Sequence, residues 1–134
     1  MHRFFHSITA SFAWLWALPW TAVGFGIGML GLATGGRGQR RGATFEFYGG
    51  AAAWLLERLP VEPMAMTLGH VILGRTAAAL DVCREHEMVH VRQYERWGPA
   101  FGPAYLLCSF WLWLWRKDAY RDNPFERQAF RDGA

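Results

Sequence analysis

Hydrophobic positions run unbroken at the start of this chain and turn periodic only later. No charged residue lies between Ser7 and Thr34, and Phe12 to Ala33 gives about 22 residues, about 33 Å as an α-helix, enough to cross a hydrocarbon core of about 30 Å. The pattern predicts a transmembrane helix. Trp14, Trp16 and Trp20 sit toward one end, where indoles anchor at headgroup level, and Gly24, Gly26, Gly28 and Gly31 lie deeper. Gly24 and Gly28 have the small-xxx-small spacing that permits helix–helix association. A cleaved signal peptide is the competing reading, but Arg3 is a thin n-region, the apolar run is long and no clear A-x-A site follows. The G-x-G-x-x-G at 26–31 lacks a preceding strand, so it is no dinucleotide site.

Residues 35–42, glycine-rich with Arg37, Arg40 and Arg41, read as a flexible basic linker. This divides the chain into an anchor with linker, 1–42, and a second domain, 43–134. The three arginines outweigh Arg3 and the amino terminus on the other side, which places the remainder on the cytoplasmic side by the positive-inside rule. In that remainder Thr44–Tyr48 alternates as a short strand, and Ala51–Leu59 reads as a short helix closed by Pro60. Met64–Leu73 holds two apolar runs around Leu68-Gly69, of which Val71-Ile72-Leu73 has the strongest strand character. Thr76 caps a helical pattern that continues to Trp97 and is stopped by Gly98-Pro99. A second uncharged run, Phe101–Trp115, leaves about 12 clean helical residues, about 18 Å, too short to span. Pro124 opens a last short helix. The expected class is α+β, mostly helical, with a small sheet.

Composition strengthens the membrane reading. Apolar residues make up 52% of the chain and charged ones 19%, so disorder is excluded, and eight Trp with ten Phe are high for 134 residues. The net charge of +3 comes from scattered arginines beside apolar segments, which suits an anionic membrane surface and not nucleic acid. Cys83 and Cys108 form neither a CxxC pair nor a disulfide framework.

The chemistry lies in the central helix, in His86-Glu87-Met88-Val89-His90. In an HExxH pattern the histidines at i and i+4 share one helix face and converge on Zn²⁺, and the Glu beside the first can act as general base on a water. A catalytic zinc needs a third protein ligand and one open position. Glu126, in Asn123-Pro124-Phe125-Glu126, is the strongest candidate. The same residues also form a capping pattern, with Asn123 at the N-cap and Glu126 at N3, and the two roles are compatible if Asn123 caps while Glu126 binds.

Here the sequence resembles the zincin metalloproteases, and more narrowly the gluzincin arrangement in which a Glu on a later helix completes HExxH. The string His86–Tyr94 followed by Asn123-Pro124-Phe125-Glu126 is similar to small bacterial membrane proteins carrying HExxHxxQ and a later N-P-x-E, over residues 64–130. The resemblance implies His86, His90 and Glu126 as zinc ligands and Glu87 as base. It also implies a substrate-binding edge strand beside the active helix, a place that Gly69–Leu73 occupies in the order. The chain departs from this pattern in being much shorter than established peptidases and in carrying Gln128 where such relatives can present a Glu.

Other polar residues take lesser roles. Gln93 and Tyr94 share the face of His90 and could orient a ligand or touch substrate. His70 or Tyr120 could stabilise an oxyanion. Cys83 reads as a small buried apolar residue, and Arg84, Arg92 and Arg96 as the solvated or headgroup-facing side of the helix. A spanning Phe101–Trp115 would put the histidines and Glu126 on opposite sides of the bilayer, so zinc binding predicts a Trp-rich helix lying in the interface or packed as a lid. The chain thus reads as a bacterial inner-membrane protein with a single N-terminal span and a minimal zincin-like domain. Its expected activity is zinc-dependent hydrolysis of a peptide or protein substrate; the alternative is a non-catalytic, zinc-stabilised membrane subunit that binds partner proteins.

Overall fold

The computed structural model describes residues 2–133, with side chains from Phe12 onward. The order is α1 (His2–Ala33), β1 (Arg37–Arg41), β2 (Thr44–Tyr48), α2 (Gly50–Leu56), β3 (Ala65–Leu68), β4 (Val71–Gly74), α3 (Ala77–Trp97), α4 (Phe101–Leu114) and α5 (Pro124–Asp132), with a 3₁₀ turn at Gly98–Ala100. The fold is α+β and mostly helical, around one four-stranded mixed sheet of order β1-β2-β4-β3. β2 and β4 are parallel, and α2 lies within the connection between them; the other two pairings are antiparallel.

Residues 37–41, expected as a flexible linker, are instead an edge strand. Arg37 pairs with Tyr48 and Arg41 with Thr44, and the boundary expected at residue 42 falls in the turn of this hairpin. Gly42 supplies the left-handed conformation there, with φ 59°. Nothing in an Arg/Gly-rich pentapeptide favours a strand, so pairing with β2 imposes it. A second correction concerns the edge strand beside the active helix. Val71–Gly74 lies inside the sheet, and β3 is the edge.

α1 is long and apolar enough to span a membrane. It also docks on the sheet along one stripe, since Ala17, Thr21, Gly24, Gly28 and Gly31 are the buried positions among its described side chains. Spacings of four and three put these small residues on one helix face. A Cβ on Gly24 would lie 2.6 Å from Val71 Cβ, and one on Gly28 would lie 2.5 Å from the Phe47 ring. The close approach offered by Gly24 and Gly28 therefore serves packing on the chain's own sheet. The opposite flank of α1, including Phe12, Leu15, Val23, Met29 and Leu30, is exposed.

The core lies between α1 and α2 on one side of the sheet and α3 on the other. Phe47, Leu56, Val71 and Leu73 fill the first side, and Ile72, Leu80 and Val91 fill the second. Each fully buried aliphatic side chain contributes about 1.5–3 kcal/mol. α3 starts where the Thr76 hydroxyl accepts from Ala79 N at 3.0 Å, and ends at Gly98, whose φ of 57° breaks the helix. This fixes the register of the histidine face against β3. α4 leaves directly from the turn at Gly98–Ala100, held by the Trp20 indole donating to Pro99 O at 3.1 Å.

Candidate metal centre

One face of α3 presents His86, Glu87 and His90, whose ligand atoms lie within 4.8 Å of one another, close enough to hold a metal ion. α5 brings Glu126 to the same place. Its Oε2 is 3.0 Å from His86 Nε2 and its Oε1 3.2 Å from His90 Nε2. Donors at about 2.0–2.1 Å from one tetrahedral zinc lie about 3.3 Å apart, so these separations fit a shared ion.

The approach of α5 is fixed locally. Asp118 Oδ1 accepts from Tyr120 N and Arg121 N, tightening the turn out of α4. Asn123 Oδ1 accepts from Phe125 N as the N-cap of α5, and its Nδ2 donates to Tyr105 O at 3.0 Å and Ser109 Oγ at 2.9 Å. Asn123 thus caps α5 and ties it to α4, while Glu126, three residues on, turns toward the histidines. α4 runs 14 residues, about 21 Å, and its chain returns, so His90 and Glu126 stand on the same side.

Hydrogen bonding around His90 defines its tautomer. Gln93 Nε2 donates to Phe125 O at 3.0 Å and Gln128 Oε1 at 2.9 Å, which leaves Gln93 Oε1 as the acceptor facing His90 Nδ1 at 2.8 Å. A backbone carbonyl can only accept, so the amide is oriented and Nδ1 carries the proton. His90 Nε2 then points a lone pair at Glu126 Oε1, acceptor against acceptor. Only a cation between them, a second proton or a metal ion, makes that contact favourable. Tyr105 donates to the same Oε1 at 2.8 Å and orients the carboxylate.

Electrostatics follow the same geometry. Burial pushes the Glu126 carboxyl up, but the contacts with His86 and His90 and the Tyr105 hydrogen bond outweigh it and hold the pKa at about 2. Burial alone would lower His90, yet the Glu126 contact and the charges of Glu87 and Glu126 raise it. Glu87 is buried and raised by desolvation, more than the nearby imidazoles and the Thr67 hydroxyl pull it down. That hydroxyl donates to Glu87 Oε2 at 2.6 Å, from edge strand β3.

Among the other expected residues, Gln93 holds His90, and the Tyr94 hydroxyl donates to Thr67 O at 3.2 Å, bracing β3 against α3. Tyr120 lines the cavity beside Glu87. Cys83 is partly buried and lines a second cavity next to His86. Arg84 is not a solvated residue: it binds the buried Glu46 carboxylate through two nitrogens at 2.9 and 3.0 Å. His70 is absent from the site. Its ring stacks on Trp14 at 4.4 Å, its Nε2 meets Glu95 at 2.9 Å, and it lies away from the Glu87 cavity. Thr67 and Tyr105 were invisible in the sequence, because a lone Thr on a four-residue strand and a lone Tyr in an aromatic run carry no spacing signal.

No family model, curated protein or solved structure matches this chain, so the site is read from its own geometry.

Proposed function

We propose that the protein is a membrane-associated, zinc-dependent peptidase of zincin-like design, with His86, His90 and Glu126 as ligands and Glu87 as base. The observation that carries the reading is the His90–Glu126 contact, in which a lone pair and a carboxylate oxygen converge at 3.2 Å while the Nδ1 proton is committed to Gln93. Two imidazoles and a carboxylate form a zinc donor set that leaves one position open. The donor set is also compatible with other divalent ions, and zinc is favoured by its nitrogen content.

A zinc ion in this position supplies a Lewis acid that acidifies water and polarises a carbonyl. Glu87, raised by burial and oriented by Thr67, accepts the proton of the attacking water and returns it to the leaving amine. Burial and the charge of Glu126 hold the Tyr105 and Tyr120 phenols well above the ordinary tyrosine range, so both remain donors. Tyr120, on the cavity wall, is placed to donate to a carbonyl oxygen as charge develops on it. The edge strand β3 offers its unpaired side to an extended substrate backbone. The apolar α1 supports a membrane location.

The test is zinc content and cleavage of a peptide library by the full chain and by Glu87→Gln. The reading expects one zinc in each protein and cleavage only by the unmodified chain. Equal cleavage by both removes Glu87 as base. Full zinc with no cleavage by either leaves a metal-stabilised interaction module.

A further inference from the structure

Beside the centre lies a cavity of about 480 Å³ that the candidate ligands and base themselves line. Glu87, His90, Glu126 and Tyr120 line it together with the hydroxyls of Thr67, Tyr94, Tyr105 and Ser109, and the apolar wall is made by Trp20 of α1, Leu59–Val61, Pro63, Ala65, Met66 and Leu68, and by Phe101, Gly102 and Leu106 of α4. Two of its lining residues are apolar and exposed, and define its rim: Leu106 is 65% exposed and Val61 is 53% exposed. A water-filled entrance with such a rim would be costly, since each exposed apolar side chain forgoes its transfer free energy.

Three further observations fit a rim that faces lipid. The outer face of α4 carries Leu107, Phe110, Trp111 and Leu114, each more than half exposed, and Arg116 and Lys117 follow in the turn after it. At about 21 Å it is too short to cross a bilayer and suits the interface plane. α1 docks on the sheet along its apolar length, from Ala17 to Gly31, so the domain lies beside that helix and not beyond its end. Trp20, which lines the cavity, is well inside the uncharged stretch that begins at Ser7.

We propose that this cavity receives an apolar polypeptide segment that enters from the bilayer, between α4 and the 59–63 loop. This rests on the peptidase reading and names its substrate class: a membrane-resident polypeptide with large apolar side chains. A polypeptide is preferred over a lipid tail because residues 65–68, all on the cavity wall, belong to an edge strand paired only with β4. A strand edge presents backbone groups that an extended peptide satisfies and an acyl chain does not.

The test uses the full chain carrying Glu87→Gln, loaded with zinc and reconstituted in phosphatidylcholine vesicles. The probe is a lysine-flanked oligoleucine peptide of about 20 residues with a central photo-leucine. A soluble Gly/Ser peptide with the same photo-group, added from outside, and a photoactivatable phospholipid are run in parallel. The proposal expects the membrane peptide to crosslink to residues 59–68 and to α4, at least ten-fold more than the soluble peptide. Leu106→Glu in the helix and Val61→Asp in the exposed loop each lower that yield at least ten-fold, whereas Trp54→Glu, exposed on α2 and outside the cavity, does not. Unchanged yields in both rim variants, equal labelling by the soluble peptide, or labelling by the phospholipid alone would overturn it. Zinc is counted on the same samples: crosslinks without zinc sink the metal reading and keep the entry route, and zinc without crosslinks does the reverse.

Discussion

Two buried carboxylates meet α3 on opposite faces, and they are neutralised differently. Glu46, on β2, receives Gln39 Nε2 at 2.7 Å, Arg84 at 2.9 and 3.0 Å, and Arg41 at 3.4 Å. Permanent cations and an amide satisfy it from within the chain. Glu126 receives one phenol and two imidazole nitrogens, one of which has its proton directed elsewhere. Arg84 and His86 are two residues apart, about 200° around the helix, so one helix carries both a closed ion cluster and an electron-rich, proton-poor one. The first needs nothing from outside. The second leaves room for a cation, and it borders the 480 Å³ cavity.

Breaking the proton-poor side at its base has the largest expected effect. Glu87→Gln lowers peptide cleavage about 10²–10⁴-fold while zinc content stays at the level of the unmodified chain, measured by steady-state kinetics and metal analysis. Breaking the closed side should cost stability and spare zinc. Glu46→Ala removes both Arg84–Glu46 bonds, leaves Arg84 its bond to Asp81, and is expected to cost about 1.5–3 kcal/mol in urea unfolding. The same pair sets an acid limit. Burial pushes Glu46 up, but Arg84, Gln39 and Arg41 hold its folded-state pKa below the ordinary glutamate value of 4.5. The pair's stabilisation is therefore full above about pH 4.5 and fades as pH falls through the lowered folded value. In Glu46→Gln the urea midpoint loses that part of its acid slope; an unchanged slope would place the effect elsewhere.

Smaller effects sharpen the contrast. Gln93→Ala frees the Nδ1 proton of His90 and should weaken zinc binding about 10–100-fold in a chelator competition, with Glu46 untouched. Gly28→Leu, which drives a side chain into Phe47, should cost about 1–3 kcal/mol by overpacking. A variant that loses only self-association, with unchanged stability, would instead return Gly28 to a helix–helix contact. Asn123→Ala removes the α5 cap at about 1 kcal/mol and loosens the approach of Glu126.

Sequence reading reached furthest where chemistry and periodicity coincide. Thr76, the span to Trp97 and the HExxH face are local signals, and the observed α3 matches them; the strand at Thr44–Tyr48 is equally plain in its alternation. Asn123-Pro124 marked the start of α5 for the same reason. What depends on pairing was hidden. β3 and β4 are similar apolar runs, and only the parallel β2–β4 ladder decides which becomes the edge. Arg37–Arg41 becomes a strand through β2. The small-residue stripe of α1 is as compatible with a partner helix as with a sheet, and only tertiary contact distinguishes them.

The most direct test of the central claim is X-ray absorption at the zinc edge of the purified full chain, alongside zinc stoichiometry. The account predicts one zinc per chain with nitrogen and oxygen ligands at about 2.0–2.1 Å, two of them imidazoles, and loss of that signal in His90→Ala and Glu126→Ala. Folded protein that takes up no zinc, or zinc bound through sulfur, would contradict it.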